Sequence, residues 1–430
     1  LDTVEWEDGR LSAQFSYAQE LFEAPMVERL ARSFDQLLAT LVERPGARLS
    51  EIDILGAADL RNLDAWSRAG GQGANPGCLV QMIEGQVQRQ PHAIATECAG
   101  ESLSYGELNL RANRLAHLLI RKGMGPERRV AVALPRGIDS VVALLAILKS
   151  GAAYVPLDLD YPADRIAVML EDSRADVFIH NADMGAALSG TFEGLPGIDL
   201  RRVVWAQLPQ GNPSVALNAD SLLYILFTSG STGRPKGIAM RHGVLSQLVA
   251  WQITRMPGSA RTLMFASPCF DVGYQEVAVA LCSGATLVQT DADQRRDFSL
   301  LLALMEDQAV ERVYLPYAVL QLLAEAALRL DRRLPALRQI ITAGEQLKLT
   351  EELAAWLRRL PRCRLFNQYG PTETHVVSNS DVDAGDGRML PPIGTPASTA
   401  ILRVLDDSLQ LVPPGVVGEL YLGGALARGY

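Results

Sequence analysis

The chain has 430 residues, 48% of them hydrophobic and 21% charged, which is enough material for the cores of roughly two or three compact units. Its net charge of −9 argues against a nucleic-acid binder or an anionic-membrane binder, since either would carry a basic excess. The five cysteines are scattered without CxxC spacing, so the sequence favours a reducing cytoplasm over a disulfide framework or a zinc site.

The N-terminal residues 1–49 predict a β-hairpin and an amphipathic helix. Polar and apolar residues alternate on both sides of Asp8-Gly9, which is a hairpin signal. Apolar residues then recur at helical spacing, at Met26, Leu30, Phe34, Leu37, Leu38 and Leu41. This piece is too small to bury a core of its own, so we expect it to pack on something else. Residues 50–76 end in a Gly-rich stretch that is typical of a linker.

From residue 77 onwards, short strand-like runs alternate with helical segments. Ser104 and Glu107 form a capping-box pattern, and Gly123 is placed to end the helix that follows. Later apolar runs, among them "LLYILFT", "RVYLP", "RQIITAG" and "RLFNQYG", have the length of strands. The alternation predicts an α/β fold with largely parallel strands, while "VGELYLGG" alternates like an antiparallel strand of a smaller β unit. The most apolar run, Ser140–Leu148, is too short to span a membrane.

The segment "LFTSGSTGRPKG", Leu226 to Gly237, combines glycines, hydroxyl side chains and one lysine directly after an apolar run. Such a loop suits phosphate, because glycines let backbone N–H groups approach the anion, hydroxyls donate hydrogen bonds and Lys236 adds a positive charge. The spacing is not that of a Walker A loop, which requires GxxxxGKS or GxxxxGKT. The residues alone leave a flexible surface turn open as the alternative.

This loop resembles the phosphate loop of the adenylate-forming enzymes, the superfamily of acyl-CoA synthetases, luciferases and peptide-synthetase adenylation domains. Four other stretches agree in the family's order, namely "LSYGELN", "LKSGAAYVPLD", "FNQYGPTE" and "GELYLGGALARGY". The second and the last of these look like the amino-acid-activating branch. The resemblance implies the large N-terminal subdomain of that fold, with two mostly parallel sheets sandwiched with helices and a smaller β-barrel. It also implies three segments, which are the tail of a condensation domain (1–49), a linker (50–76) and the N-terminal core of an adenylation domain (77–430).

The activity implied by the resemblance is attack of a carboxylate on the α-phosphorus of ATP, with pyrophosphate leaving. Lys236, Thr372 and Glu373 would be the catalytic residues, Thr372 meeting the α-phosphate and Glu373 binding Mg²⁺, which prefers carboxylate oxygens. The β- and γ-phosphates would be held, besides Lys236, by Thr228, Ser229, Gly230, Ser231, Thr232 and Gly233. The adenine would stack on Tyr369, in a base site lined by Gly344, Glu345 and Asn367.

The pocket for the amino acid follows from the same resemblance. Asp271 would pair with the α-ammonium group, because a partly buried carboxylate requires such a partner. The lining would consist of Asp271, Val272, Gln275, Tyr314, Ile341, Ala343, Gln368, Val376 and Val377. These residue types alone indicate a small to medium, uncharged side chain, since none of them would complement a charged one. The combination resembles the lining associated with L-proline.

Two histidines and one cysteine near these motifs have other interpretations. His242 and His375 are each interpreted as hydrogen-bonding structural residues and not as general bases, because an amino acid's carboxylate is already ionised at neutral pH. Cys269 has no evident base partner in the sequence and is interpreted as a packing residue.

The chain ends within the family's "LARGY" motif, so two features of the family are expected to be absent. These are an acidic residue for the ATP ribose and the lysine of a C-terminal subdomain, and we therefore expect slow adenylation or none. The implied partners are an upstream condensation domain, a downstream carrier protein bearing phosphopantetheine, and a small MbtH-like activator. Two alternatives stay open, an acyl- or aryl-CoA ligase and a non-catalytic scaffold fragment.

Overall fold

The computed structural model describes residues 1–48, 51–71, 76–181, 190–229, 234–385, 387–424 and 426–430. The chain divides into two compact units. The first consists of Leu1–Ala69 and Ile401–Gly423, and the second of Gly70–Ala400 and Gly424–Tyr430. Within the described ranges, no helix is both long enough and apolar enough to cross a membrane.

The helices of the described residues are α1 (Ala24–Glu43), α2 (Ala57–Ser67), α3 (Leu79–Arg89), α4 (Tyr105–Arg121), α5 (Ile138–Ser150), α6 (Ala163–Ser173), α7 (His242–Arg255), α8 (Asp271–Ser283), α9 (Ala292–Arg296), α10 (Phe298–Asp307), α11 (Tyr317–Arg329) and α12 (Glu351–Arg358). Two short 3₁₀ turns lie at Leu200–Arg202 and Trp205–Gln207.

The strands of the same residues are β1 (Asp2–Glu5), β2 (Leu11–Gln14), β3 (Ile94–Cys98), β4 (Glu101–Ser104), β5 (Arg129–Ala133), β6 (Ala153–Pro156), β7 (Val177–His180), β8 (Gly197–Asp199), β9 (Leu222–Ser229), β10 (Pro235–Arg241), β11 (Thr262–Met264), β12 (Leu287–Gln289), β13 (Arg312–Tyr314), β14 (Gln339–Thr342), β15 (Arg364–Tyr369), β16 (Ser378–Val382), β17 (Thr395–Pro396), β18 (Ile401–Leu405) and β19 (Glu419–Gly423).

The first unit contains two small antiparallel sheets and two helices. The predicted hairpin is confirmed, because β1 and β2 pair antiparallel across the Asp8-Gly9 turn. The predicted helix is confirmed as α1, and its apolar residues Met26, Leu30 and Leu38 remain exposed. In the described part of this unit, β18 and β19 form a two-stranded antiparallel sheet, as the alternation in "VGELYLGG" predicted for a smaller β unit.

The second unit is built on two mostly parallel sheets, as the alternation predicted. The six-stranded sheet has the order β10-β9-β6-β5-β7-β8, and its only antiparallel neighbours among the described strands are β10 and β9. The larger sheet has the order β17-β16-β15-β14-β13-β11-β12-β3-β4 and is parallel from β15 to β3. Antiparallel strands lie at both of its edges.

Local sequence signals account for the helices of this unit. At the start of α4, the Ser104 hydroxyl accepts from the backbone N–H of Glu107, whose carboxylate accepts in return from the backbone N–H of Ser104 at 2.8 Å. The helix buries Leu108, Ala112, Leu115 and Leu119 in the largest core cluster. Complete burial of each leucine contributes about 1.5–3 kcal/mol. Gly123, with φ of +85°, follows the helix in the left-handed region.

The topology explains where the predicted site residues meet. Parallel strands have their carboxyl ends at one edge of the sheet, and ligands bind in the crevice there. Tyr314 ends β13, Ile341 lies near the end of β14, and Gln368 lies near the end of β15. Asp271 begins α8, which follows β11 through the loop 265–270.

Candidate functional site

A cavity of about 580 Å³ opens at the carboxyl ends of β11, β13, β14 and β15. Most of the residues predicted to bind the amino acid line it, and they are Asp271, Val272, Gln275, Tyr314, Ile341, Ala343 and Gln368. Gly344 and Glu345, predicted for the adenine site, line the same cavity. One continuous space is therefore bordered both by residues predicted to bind the amino acid and by two of the residues predicted to bind adenine.

Val376 and Val377 do not border this cavity. Both are buried, and Val376 belongs to the main core cluster. The chain turns between Gly370 and His375, and the backbone N–H of Val377 then donates to Tyr369 at 2.8 Å. This reversal carries the two valines into the core behind the site.

The cavity also has lining residues that the sequence reasoning missed. They are Phe265, Ala266, Ser267, Phe270, Arg295, Leu315, Pro316 and Val319. Several of them lie in "FASPCFD", close to Asp271 in the chain. That closeness is the signal that could have identified them. Nothing in the sequence pointed to Arg295, which comes from the short helix α9.

Arg295 corrects the expectation of a lining without a cation. Its guanidinium lies 5.4 Å from the centre of the Phe265 ring, within the range of a cation–π contact. Its buried Nε has no hydrogen-bond partner among the residues that the structure describes.

Amide and phenol groups form a connected network along the buried side of the cavity. The Gln275 side-chain amide donates to Gln252 Oε1 at 2.7 Å and to Gln368 Oε1 at 3.0 Å. Gln252 donates in turn to the Tyr314 hydroxyl, whose pKa is raised to about 12 by burial. The polar groups of Gln275, Tyr314 and Gln368 therefore pair largely with protein groups, and Gln275 Oε1 is left without a partner in the described chain.

The carboxylate of Asp271 faces this cavity from the first turn of α8. Its Oδ1 accepts from the backbone N–H of Val272 at 2.8 Å. Within the described ranges no cationic side chain forms an ion pair with it. The partly buried carboxylate thus has capacity for a cationic partner.

His375 is held by the backbone on both ring nitrogens. Its Nδ1 accepts from the backbone N–H of Val376 at 3.0 Å, so Nε2 carries the proton and donates to the backbone oxygen of Asp271 at 3.1 Å. Burial lowers the pKa of the ring, which is therefore neutral near pH 7. These contacts agree with the interpretation of His375 as a hydrogen-bonding structural residue.

His242 differs from the expectation. It is completely buried at the start of α7, and neither ring nitrogen has a hydrogen-bond partner within the described residues. Burial lowers its pKa to about 4. His242 is thus a packing residue and not a hydrogen-bonding one.

Cys269 is buried and its Sγ lies 3.7 Å from the backbone oxygen of Pro156. Burial raises the pKa of the thiol to about 12, so the thiolate nucleophile is absent near neutral pH. The packing interpretation of this cysteine agrees with that environment.

A buried acid that the sequence reasoning missed supports the wall of the cavity. Glu276 is fully buried in α8, and its carboxyl accepts from the backbone N–H groups of Phe265 and Ala266 at 3.2 and 3.1 Å. Burial raises its pKa to about 8. Arg136 donates to the backbone oxygen of Ala266 at 2.6 Å. The two side chains fix the loop that carries Ala266 and Ser267 along the cavity.

The described residues among those predicted for the phosphate loop lie on β9 and β10, at one edge of the six-stranded sheet. Thr228 and Lys236 face each other across the β9–β10 pair, so their side chains lie on the same face. Ser229 pairs with Pro235 through the backbone. The predicted residues Gly230, Ser231, Thr232 and Gly233 lie outside the described residues.

Glu373 and Thr372 lie in the turn that follows β15, and both are half-buried. Glu373 Oε1 accepts from the Tyr430 hydroxyl at 2.8 Å. The Lys236 ammonium lies 5.4 Å from the centre of the same tyrosine ring. The structure therefore brings Lys236 and Glu373 to one aromatic side chain.

The carboxylate of Glu373 fits a hard cation such as Mg²⁺, since it is partly exposed and, among the residues that the structure describes, Oε2 has no hydrogen-bond partner. Among the residues described, no three His, Cys, Asp or Glu side chains form a group that could hold a metal. A Mg²⁺ ion here would depend on phosphate oxygens and water for its remaining ligands.

The four residues predicted for the adenine site lie on β15 and in the loop after β14. Tyr369 is 38% exposed, which leaves ring surface available for stacking. Asn367 is buried and donates to the backbone oxygen of Pro392 at 2.9 Å. Glu345 accepts from the backbone N–H of Ala318 at 2.9 Å. Gly344 has φ of +88°, a conformation that favours glycine.

Comparison with known proteins shows the family to which the chain belongs. Residues 83–430 match the family model described as AMP-binding enzyme. Tyrocidine synthase 2 of Brevibacillus parabrevis is 34% identical over 425 residues, which are 98% of this chain and 12% of that protein. Phosphinothricin tripeptide synthetase PhsC of Streptomyces viridochromogenes is 36% identical over 427 residues, 97% of this chain and 38% of that protein. The chain thus spans a minor part of the length of these relatives.

A solved structure shares the fold. The nonribosomal peptide synthetase FmoA3, in its alpha-methyl-L-serine-AMP bound form, matches with a TM-score of 0.84 at 25% identity. The match covers 95% of this chain and 47% of that chain. This likeness confirms the α/β fold expected from the resemblance to adenylate-forming enzymes.

Proposed function

The chain belongs to the AMP-binding enzyme family, and on that premise we propose that it activates an amino acid as aminoacyl-AMP, with release of pyrophosphate from ATP. The product would be loaded onto the phosphopantetheine of a carrier protein in nonribosomal peptide synthesis. The likeness to named peptide synthetases over nearly the whole chain supports this assignment.

One observation carries the proposal. Asp271 and Gly344 line a single cavity, so the carboxylate expected to bind the ammonium group and a residue expected beside adenine share one space. Acyl adenylation needs this arrangement, because the carboxylate of one substrate must meet the α-phosphorus of the other within a few ångströms.

The chemistry assigned to this chain's residues is positioning and charge stabilisation. Asp271 would hold the ammonium group and thereby orient the carboxylate. Lys236 would bind the pyrophosphate that leaves, Thr372 would bind the α-phosphate, and Glu373 would bind Mg²⁺. The bound ion would neutralise phosphate charge. No general base is required, which agrees with the blocked ring nitrogens of His375.

For the amino acid we propose L-proline. Val272, Ile341 and Ala343 offer an apolar lining, and the amide network beside them is largely paired internally. A compact apolar ring therefore leaves few polar groups newly unpaired. Arg295 also lines the cavity, and its positive charge would favour an anionic side chain. Aspartate and glutamate therefore belong in the test.

The surrounding assignments complete the proposal. Residues 1–49 would be the tail of a condensation domain, 50–76 a linker and 77–430 the adenylation core. An upstream condensation domain, a downstream carrier protein and a small MbtH-like activator would be the partners.

The deciding experiment is ATP–pyrophosphate exchange with a panel of amino acids, run on the chain and on a longer polypeptide that contains it. We expect exchange to depend on an added amino acid and to be fastest with L-proline. Fastest exchange with aspartate or glutamate would overturn the proline assignment and implicate Arg295. Exchange with carboxylic acids that lack an amino group would favour an acyl- or aryl-CoA ligase instead.

A further inference from the structure

Tyr430 contacts two residues that the proposed function assigns to the phosphate end of ATP. Its hydroxyl donates to Glu373 Oε1 at 2.8 Å, and its ring lies 5.4 Å from the Lys236 ammonium. Glu373 follows β15 of the larger sheet, whereas Lys236 lies in β10 of the other sheet. One side chain thus joins residues that come from different sheets.

The backbone next to Tyr430 is tied to the same two places. The Ala427 N–H donates to the backbone oxygen of Glu373 at 2.7 Å. The Arg428 N–H donates to the backbone oxygen of Ala239 in β10 at 2.8 Å, and the Ala239 N–H donates to Gly429 at 3.0 Å. The segment 426–430 is therefore hydrogen-bonded to both sides of the proposed phosphate site.

Two arginines fix this segment further. Arg428 binds the Glu127 carboxylate through both of its terminal nitrogens, and it also donates to the backbone oxygen of Asp220. Arg241 donates to the backbone oxygen of Leu426 at 2.7 Å. These bonds hold the backbone of Tyr430 in place independently of its side chain.

The side chain of Tyr430 is itself 76% exposed, so its two contacts contribute little burial. The main physical effect of these contacts is on Glu373 and Lys236. A hydrogen bond to one oxygen of a carboxylate restricts its rotation and directs the other oxygen toward a ligand. An aromatic face within about 6 Å of an ammonium group favours the position of that cation by about 0.5–1 kcal/mol at exposed sites.

We propose that Tyr430 is a positioning residue that fixes Glu373 through its hydroxyl and Lys236 through its ring, and thereby prepares the site for a divalent cation bound to a nucleoside triphosphate. This inference rests on the proposed function, which supplies the roles of Glu373 and Lys236. The hydroxyl orients the carboxylate that would bind the cation, and the ring positions the lysine that would bind phosphate. The two contacts can therefore be separated by substitution.

The test measures ligand binding directly. Mn²⁺ is titrated in the presence of α,β-methylene-ATP, which cannot be cleaved between its α- and β-phosphates, and free Mn²⁺ is followed by its electron paramagnetic resonance signal. A second titration measures binding of the same nucleotide in EDTA. The variants are Tyr430→Phe, which removes the hydroxyl alone, and Tyr430→Leu, which removes the hydroxyl and the ring.

For Tyr430→Phe we expect Mn²⁺ to bind about tenfold more weakly. This is the lower end of the loss in metal affinity seen when a residue that hydrogen-bonds to a metal ligand is removed. Nucleotide binding in EDTA should be unchanged. For Tyr430→Leu we expect the same loss for Mn²⁺ and a further loss of about two- to fivefold in metal-free nucleotide binding. In exchange assays on the longer polypeptide, excess Mg²⁺ should restore the rate of Tyr430→Phe, which a purely structural defect would not allow.

Tyr421→Phe is the matched control, because it removes a comparable exposed hydrogen bond, from the Tyr421 hydroxyl to Glu419 at 3.3 Å, outside the proposed site. It should leave both titrations unchanged. Unchanged Mn²⁺ binding in Tyr430→Phe would overturn the inference, and so would tighter binding, which would mean that the hydroxyl competes with the cation. If the unaltered chain binds Mn²⁺ and nucleotide no better than Glu373→Gln, the proposed function fails together with the inference.

Discussion

His375 donates from Nε2 to the backbone oxygen of Asp271 at 3.1 Å, so a buried imidazole fixes the first residue of α8. Replacing it by leucine keeps the volume and removes both backbone bonds. We expect the KM for the amino acid to rise about tenfold with a smaller change in kcat, since the loss of one or two hydrogen bonds of about 1 kcal/mol each displaces the Asp271 carboxylate. Steady-state exchange kinetics measures this split. A large fall in kcat with unchanged KM would instead indicate a catalytic role for the ring.

Asp271→Ala removes the proposed partner of the substrate ammonium group. We expect kcat/KM for the amino acid to fall at least about a hundredfold, because an uncompensated charge in a partly buried site costs several kcal/mol. The control is Asp293→Ala, which removes an exposed carboxylate from α9. Retained amino-acid use in the Asp271 variant would support the ligase alternative.

Arg295→Met removes the charge and keeps a flexible, unbranched side chain, although a shorter one. If the substrate is uncharged, as we propose, kcat/KM for L-proline should change less than about threefold, because the cation pairs with no group of the substrate. The neighbouring Arg296→Met serves as the control on the same short helix. If the Arg295 variant instead loses a hundredfold or more in kcat/KM for an acidic amino acid, Arg295 binds the anionic side chain of the substrate.

His242 predicts a specific dependence of stability on pH. Its pKa of about 4 in the folded chain lies below the usual value of about 6.5 in the unfolded chain, so the unfolded state binds the proton more readily. Its contribution is fully present above pH 6.5 and is lost as the pH falls toward 4, by about 3 kcal/mol in all. Urea unfolding of the parent chain and of His242→Leu at pH 7.5 and 4.5 should show the variant losing less stability on acidification. Equal losses would contradict the burial of a neutral ring.

Local signals in the sequence predicted helix starts and turns well, because caps and turns depend on residues only a few positions apart. The Ser104–Glu107 capping box and the Asp8-Gly9 turn both appear where they were expected. The residues at the ends of β13, β14 and β15 also meet, since motifs at the carboxyl ends of parallel strands necessarily share an edge.

Contacts between distant segments were not predictable in this way. Arg295 reaches the cavity from a five-residue helix that carries no motif, and only the packing of α9 brings it there. The Tyr430–Glu373 bond joins residues 57 positions apart, and its geometry depends on the pairing of Gly429 with β10. His242 has no partner because its surroundings, contributed by other elements, contain no group within hydrogen-bond distance in the described chain.

The antiparallel pairing of β9 and β10 has a consequence for how the proposed site would attract phosphate. In a Walker-type loop a helix begins directly after the glycines, and its N-terminal dipole favours the anion. Here a whole strand, Pro235–Arg241, separates the loop from α7, so the dipole of that helix begins beyond the strand. On the proposed function, long-range attraction of the triphosphate would then come mainly from the charge of Lys236 and from the counterion that the nucleotide brings with it. Such attraction is strongly screened, so nucleotide affinity should fall steeply with ionic strength.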